Sequence, residues 1–209
     1  MPKVIGGSIK SHREHVTAQI FDAVGKILYE RGYDGLSLAE VAEACGMART
    51  AMYNYFPDKA ALFVAFITHE TDRYLERLEA ALEPIENPVE QLRTYIRFQL
   101  EYFAGNHLPP GPAVSLVLPE GTNEGVQAHV AVLEETLSGI VTRGHDERLM
   151  VVDDVAATVA MISACISRVG DDSKDVPVDE TVRATETFVL RAVGVSLDAD
   201  GQAKRVRRR

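Results

Sequence analysis

Apolar positions recur at helical spacing along almost the whole chain. From Ser11 to Arg31, Val16, Ile20, Val24, Ile27 and Leu28 form one stripe, and Gly32 closes it. Leu38, Val41, Ala42 and Cys45 repeat at i, i+3, i+4 and i+7, which predicts a short second helix. A third starts near Ala48 and stops before Pro57. Asp58 to about Leu82 reads as a long helix carrying Leu62, Phe63, Phe66, Tyr74, Leu75, Leu78 and Leu82, with Pro84 beyond it. Further helices are predicted over Pro88 to Ala104, Ala113 to Leu118, Asn123 to Arg143, Val152 to Val169 and Val178 to Leu197. No alternating strand run and no Asn-Gly hairpin interrupts them. The expected fold is all-α, with about nine helices. An N-terminal three-helix helix-turn-helix domain over residues 10–57 follows a flexible arm (1–9). A helical bundle (58–198) and a basic, disordered tail (199–209) complete the chain.

Residues 37–59, SLAEVAEACGMARTAMYNYFPDK, carry the most chemistry. Ser37 with Glu40 matches a capping box, in which the Ser oxygen and the Glu carboxylate each satisfy a free backbone N–H. Gly46 suits the left-handed turn that ends a helix. Met47 then drops between the two helices. On the next helix Ala51, Met52, Tyr55 and Phe56 face inward, at least in part. Arg49, Thr50, Tyr53 and Asn54 are left outside, with Lys59 just beyond. That outer set suits duplex DNA. Arginine donates two hydrogen bonds to guanine, and threonine bonds a base edge or touches a thymine methyl. Tyrosine hydroxyls and lysine hold phosphates and set register. Small residues such as Ala48 allow close approach to the groove. Two short helices around a glycine also form plain hairpins, so the spacing alone leaves both readings open.

The run GMARTAMYNYFPDKAALF resembles the recognition helix and following helix start of the tetracycline-repressor (TetR) family. The matching positions are Gly46, Met47, Met52, Tyr53, Tyr55, Phe56, Lys59 and Leu62, and the likeness extends over roughly residues 10–68. The resemblance implies a helix-turn-helix homodimer on a palindromic operator. It places Arg49 and Thr50 on bases and Tyr53 on a base methyl or a phosphate. Tyr55, Lys59 and Ser37 fall on phosphates. Some members carry a base-contacting arginine where this chain has Ala39, which shifts readout onto Arg49, Thr50 and Asn54.

The net charge of −9 is unevenly placed. Residues 1–60 are neutral, residues 61–200 carry −14, and residues 201–209 carry +5. The acid is thus concentrated away from the expected DNA face, and phosphate contact is a local matter. No run of about 18 apolar residues exists, so no membrane span is expected. MPKVIGGSIK holds no apolar signal core, and a cytoplasmic protein is expected. The two cysteines, Cys45 and Cys165, show no metal spacing and read as reduced, structural thiols, with Cys165 the better candidate for a redox switch. No metal or other cofactor is expected. No nucleophile elbow, phosphate loop or dinucleotide motif occurs, which argues against an enzyme.

Two operator half-sites lie about one DNA turn apart, ~34 Å, so two heads are required. Broad apolar faces rich in small and β-branched residues nominate Val155, Val159, Ile162, Ile166, Val182, Thr185, Val189 and Val193 as the dimer interface. They would equally suit an internal core. The resemblance also implies a small-molecule effector in the bundle. Phe66, Tyr74, Tyr95, Phe98, Tyr102, Phe103, His129 and Met161 are the candidate lining for a largely apolar ligand. The alternatives are a DNA-binding protein that answers to a protein partner or to no effector, and an all-helical enzyme or carrier.

Overall fold

The computed structural model describes residues 6–105, 124–172, 176–197 and 203–204. Eight helices stand among them: α1 (Gly6–Arg31), α2 (Leu38–Ala44), α3 (Arg49–Met52), α4 (Lys59–Leu82), α5 (Pro88–Gly105), α6 (Glu124–Asp146), α7 (Val155–Asp172) and α8 (Val178–Ala192). The expected short helix over Ala113 to Leu118 lies outside the described residues, as does the start of the N-terminal arm. Among the described residues the regular structure is all helical apart from one short ladder. Ser196 and Leu197 (β1), at the expected end of the last helix, pair antiparallel with Lys204 and Ala203 (β2), which lie in the stretch expected to be disordered.

The described residues form two compact units, one up to Glu70 and one from Thr71 on, so α4 begins in the first and ends in the second. In the first, the stripe of α1 meets the short helices. Ile20, Val24, Ile27, Leu36, Val41, Met52 and Leu62 are all buried. Phe21 sits 6.0 Å, centroid to centroid, from both Phe56 and Phe66. Helix α3 is a single turn, shorter than its sequence pattern suggests. The backbone then tightens, with the Tyr55 and Phe56 N–H groups both donating to the Met52 carbonyl, before Pro57 intervenes. Asp58 caps α4 by accepting the Ala61 N–H at 2.8 Å.

In the second unit, α5 packs against α6, α7 and α8. Leu92, Ile96 and Leu100 of α5 share one core with Leu137, Ile140 and Val141 of α6, Ile162 and Ile166 of α7, and Val182 and Val189 of α8. Tyr74, Leu78 and Leu82 from the end of α4 belong to the same core. Two of these helix starts are set locally: Asn87 accepts the Val89 N–H at 2.8 Å, and Asp154 accepts the Ala157 N–H at 3.0 Å. Helix α8 stops at Ala192, short of the expected Leu197, because Gly194 takes φ 66° and the Val195 N–H folds back onto the Leu190 carbonyl.

Candidate functional site

The segment from Ser37 to Lys59 is built from local rules. Ser37 has an extended backbone, and its Oγ accepts the Glu40 N–H at 3.2 Å while donating to the Glu40 carboxylate at 2.8 Å. The other Glu40 oxygen takes the Arg31 guanidinium at 2.9 Å. The Glu side chain therefore meets the Ser hydroxyl and α1, where the capping box expected it on the Ser37 N–H. At the far end of α2, Gly46 has φ 65°. The Met47 N–H reaches Ala42 and the Gly46 N–H reaches Glu43, the paired bonds of a glycine-terminated helix. A side chain at Gly46 would meet no neighbour, so glycine is required there by its φ alone.

This turn delivers α3 with Met52 buried and Ala48, Arg49, Thr50, Tyr53 and Asn54 exposed. Tyr53 is 49 % exposed, which places it on the outer face and outside the core. Tyr55 and Lys59 are half-buried, and each has an aromatic–cation partner. The Lys59 Nζ lies 4.1 Å over the Tyr33 ring, and the Arg13 guanidinium lies 5.5 Å over Tyr55. Tyr33 is itself set edge-on against Phe63, with centroids 4.7 Å apart. The pairing of Arg13 with Tyr55 and of Tyr33 with Lys59 was not legible in the sequence, since both residues lie far upstream of their partners. The only signal was a cluster of basic residues and histidines at the start of α1.

Both cysteines are half-buried free thiols. Burial pushes Cys45 up, and the Asp22 carboxylate adds to the effect. Burial alone pushes Cys165 up. Neither site favours the thiolate on which cysteine reactivity depends.

In the helical body the sequence-based site residues separate. Val159, Ile162, Ile166, Val182, Thr185, Val189 and Val193, nominated for the dimer interface, are buried within the chain itself, and Val155 is half-buried. The strongest apolar stripe of an amphipathic helix goes to its own core. The outward apolar residues of these helices are different ones: Met161, 66 % exposed, and Phe188, 62 % exposed, with Val176 beside α8. A groove runs between α7 and α8, lined by Cys165, Val169, Val176, Ala184 and Phe188 and edged by Arg168 and Glu180. Met161 is accordingly removed from the effector lining. One residue along a helix turns the side chain by about 100°, so its neighbour Ile162 faces inward while it faces out.

Of the other candidate lining residues, Phe66 belongs to the first unit, on Phe21. The side chains of Phe103 and His129 lie outside the described residues. Tyr74, Tyr95, Phe98 and Tyr102 do converge. The Tyr74 ring lies 5.2 Å from Phe98 and 4.4 Å from Tyr102. The Tyr95 hydroxyl donates to the Leu133 carbonyl at 3.3 Å and accepts from Gln99 Nε2 at 3.0 Å. Burial, with the neighbouring phenols Tyr95 and Tyr102 adding to it, raises Tyr74 far above the ordinary phenol range. Tyr95 is pushed up to about 12, again by burial, against the lowering effect of the Gln99 hydrogen bond. Both phenols are therefore neutral donors at physiological pH. The exposed Arg77 lies 5.6 Å over the Phe98 ring, beside this cluster. Among the described residues no group of His, Cys, Asp and Glu could hold a metal ion, and no helix is long and apolar enough to cross a membrane.

Comparison with known proteins agrees with this geometry. Residues 20–66 match the family model for bacterial regulatory proteins of the tetR family. The chain is 25 % identical over 145 residues to the fatty acid metabolism regulator protein of Bacillus subtilis, covering 63 % of this chain and 73 % of the relative. It is 36 % identical over 70 residues to the HTH-type transcriptional regulator RutR of Escherichia coli, covering 34 % of this chain and only 32 % of RutR. Its fold matches the crystal structure of the transcriptional regulator FadR from Bacillus subtilis in complex with stearoyl-CoA, with a TM-score of 0.72 and 20 % identity, over 85 % of this chain and 97 % of the other.

Proposed function

Starting from a chain that belongs to the TetR family of transcription regulators, we propose that it represses transcription by binding a palindromic operator as a homodimer, and that an acyl thioester releases it. The observation that carries this reading is the exposed row Ala48, Arg49, Thr50, Tyr53 and Asn54, set on α3 by the Gly46 turn. Arg49, Thr50 and Asn54 read base edges. Tyr53, Tyr55, Lys59 and Ser37 contact phosphates, with Tyr33 and Arg13 holding two of them in place. Residues 10–57 form the DNA-reading domain, and residues 58–198 form the dimerisation and effector domain. The protein acts in the cytoplasm, where its operator lies.

Dimerisation uses the outer faces of α7 and α8. There Ala157, Ala160 and Ala164 are exposed beside Met161, and Ala184 beside Phe188. Small residues with two large apolar ones allow two helix pairs to pack closely. The effector class is supported by the fatty acid metabolism regulator among the relatives and by the stearoyl-CoA complex of the FadR structure. The Tyr74, Phe98 and Tyr102 rings offer apolar area for an acyl chain, and Arg77 offers a cation for an anionic head. Release requires that the effector bind the non-operator conformation more tightly, since only that difference shifts the equilibrium.

Mobility-shift titrations against a library of palindromic promoter duplexes test the DNA reading. Saturable binding that survives non-specific competitor is expected. Its absence on every duplex overturns the operator reading. Adding stearoyl-CoA to the bound complex then tests the effector class, with free DNA the expected product.

A further inference from the structure

Two buried side-chain polar atoms among the described residues lack a hydrogen-bond partner: the Tyr74 hydroxyl and Arg93 Nε. The second still faces a counter-charge, the Glu90 carboxylate at 3.4 Å. Tyr74 has no such compensation, although the residue is only 4 % exposed. A buried hydroxyl with nothing to bond loses its water without replacement, and folded proteins rarely keep one. Phenylalanine would make the same ring contacts with Phe98 and Tyr102 without that loss. A partner from outside the fold would give the hydroxyl the bond it lacks.

The surroundings define that partner. The neighbouring phenol of Tyr95 is already engaged on both sides, by Leu133 and Gln99, so it offers no further hydrogen to an incoming group. Against the Tyr74 ring stand the rings of Phe98 and Tyr102, which accept apolar surface. Among the described residues no lysine or arginine is buried as a whole, and the buried Arg93 Nε already faces Glu90, so a carboxylate or phosphate at this depth would go uncompensated. A neutral oxygen needs only a donor.

We infer that Tyr74 is the polar anchor of the effector site, donating a hydrogen bond to a neutral carbonyl oxygen on an effector whose adjacent body is apolar. In an acyl thioester that oxygen is the thioester carbonyl. The inference rests on the effector-responsive reading above and goes beyond it by assigning the residue and the effector atom it recognises.

The test uses the full-length protein with two probes, stearoyl-CoA and its S-octadecyl thioether, in which a methylene replaces the carbonyl. Binding is measured by isothermal titration and stability by thermal denaturation. Wild type should bind the thioester about tenfold more tightly, the value of one neutral hydrogen bond. Tyr74→Phe should bind both probes equally, at the thioether level. Its melting temperature without ligand should stay level or rise, because an unsatisfied hydroxyl has been removed. Tyr95→Phe, which breaks two bonds of the fold itself, should melt earlier yet still discriminate between the probes. Retained discrimination in Tyr74→Phe, or an earlier melt of that variant without ligand, overturns the assignment while leaving the thioester reading intact. If wild type binds neither probe, the thioester reading falls and the assignment of Tyr74 falls with it.

Discussion

Ser37 and Lys59 illustrate how single side chains of the helix-turn-helix segment serve the fold and, on the proposed reading, the DNA interface together. The Ser37 hydroxyl accepts one bond and donates another, both within its own helix start. Ser37→Ala should lower unfolding stability by ~1 kcal/mol, the usual value of an N-cap, as read by chemical denaturation. Arg49 stands free on the outer face of α3. Arg49→Ala should cost ~1–3 kcal/mol of operator affinity and relax specificity at one base pair. A mobility-shift series over single-base operator variants checks this, and a uniform loss on all variants would contradict a base-reading role. Lys59→Ala should weaken all duplexes alike and reduce the salt slope by about one. The identities of these residues were legible because cap, turn and recognition helix follow one another within some twenty positions. The support of Lys59 by Tyr33 was not, because it joins elements that only the folded chain brings together.

Among the elements, α7 and α8 carry the clearest lesson. Their apolar periodicity was correct, yet the stripe that looked like an interface is the chain's own core. A pattern of period 3.6 identifies which residues share a face, but cannot say whether that face meets the same chain or another. The outward face is marked by the off-stripe residues Met161 and Phe188. Phe188→Glu, or Met161→Glu, should convert a dimer into a folded monomer in sedimentation analysis and abolish high-affinity operator binding. Val189→Glu, by contrast, should unfold the second unit. The contact of α5 with α8 also titrates. Burial pushes the Glu186 carboxyl up, against the lowering effects of Arg97, 3.5 Å away, and Arg93, with Glu90 adding to the rise. A carboxyl raised in the folded state binds more protons there than in the unfolded chain. Its contribution is full below the ordinary carboxylate pKa and is lost as pH rises through the raised value. Glu186→Gln should therefore show a smaller fall in stability than wild type across that window, as followed by pH-dependent denaturation.

At the scale of the molecule, charge and architecture divide along the chain. A neutral first sixty residues and a strongly acidic body, −14 over residues 61–200, favour approach to DNA by the helix-turn-helix end. Sequence by itself determined the helical class, the helix-turn-helix and its outward row. These rest on spacing, capping and glycine chemistry, which act between residues close along the chain. Tertiary structure alone decided which apolar faces are spent internally, that α3 is a single turn, and that Tyr74, Tyr95, Phe98 and Tyr102 converge without Phe66 or Met161. These depend on contacts between helices far apart in sequence, where burial and hydrogen bonding are settled only when the packed partners are in place.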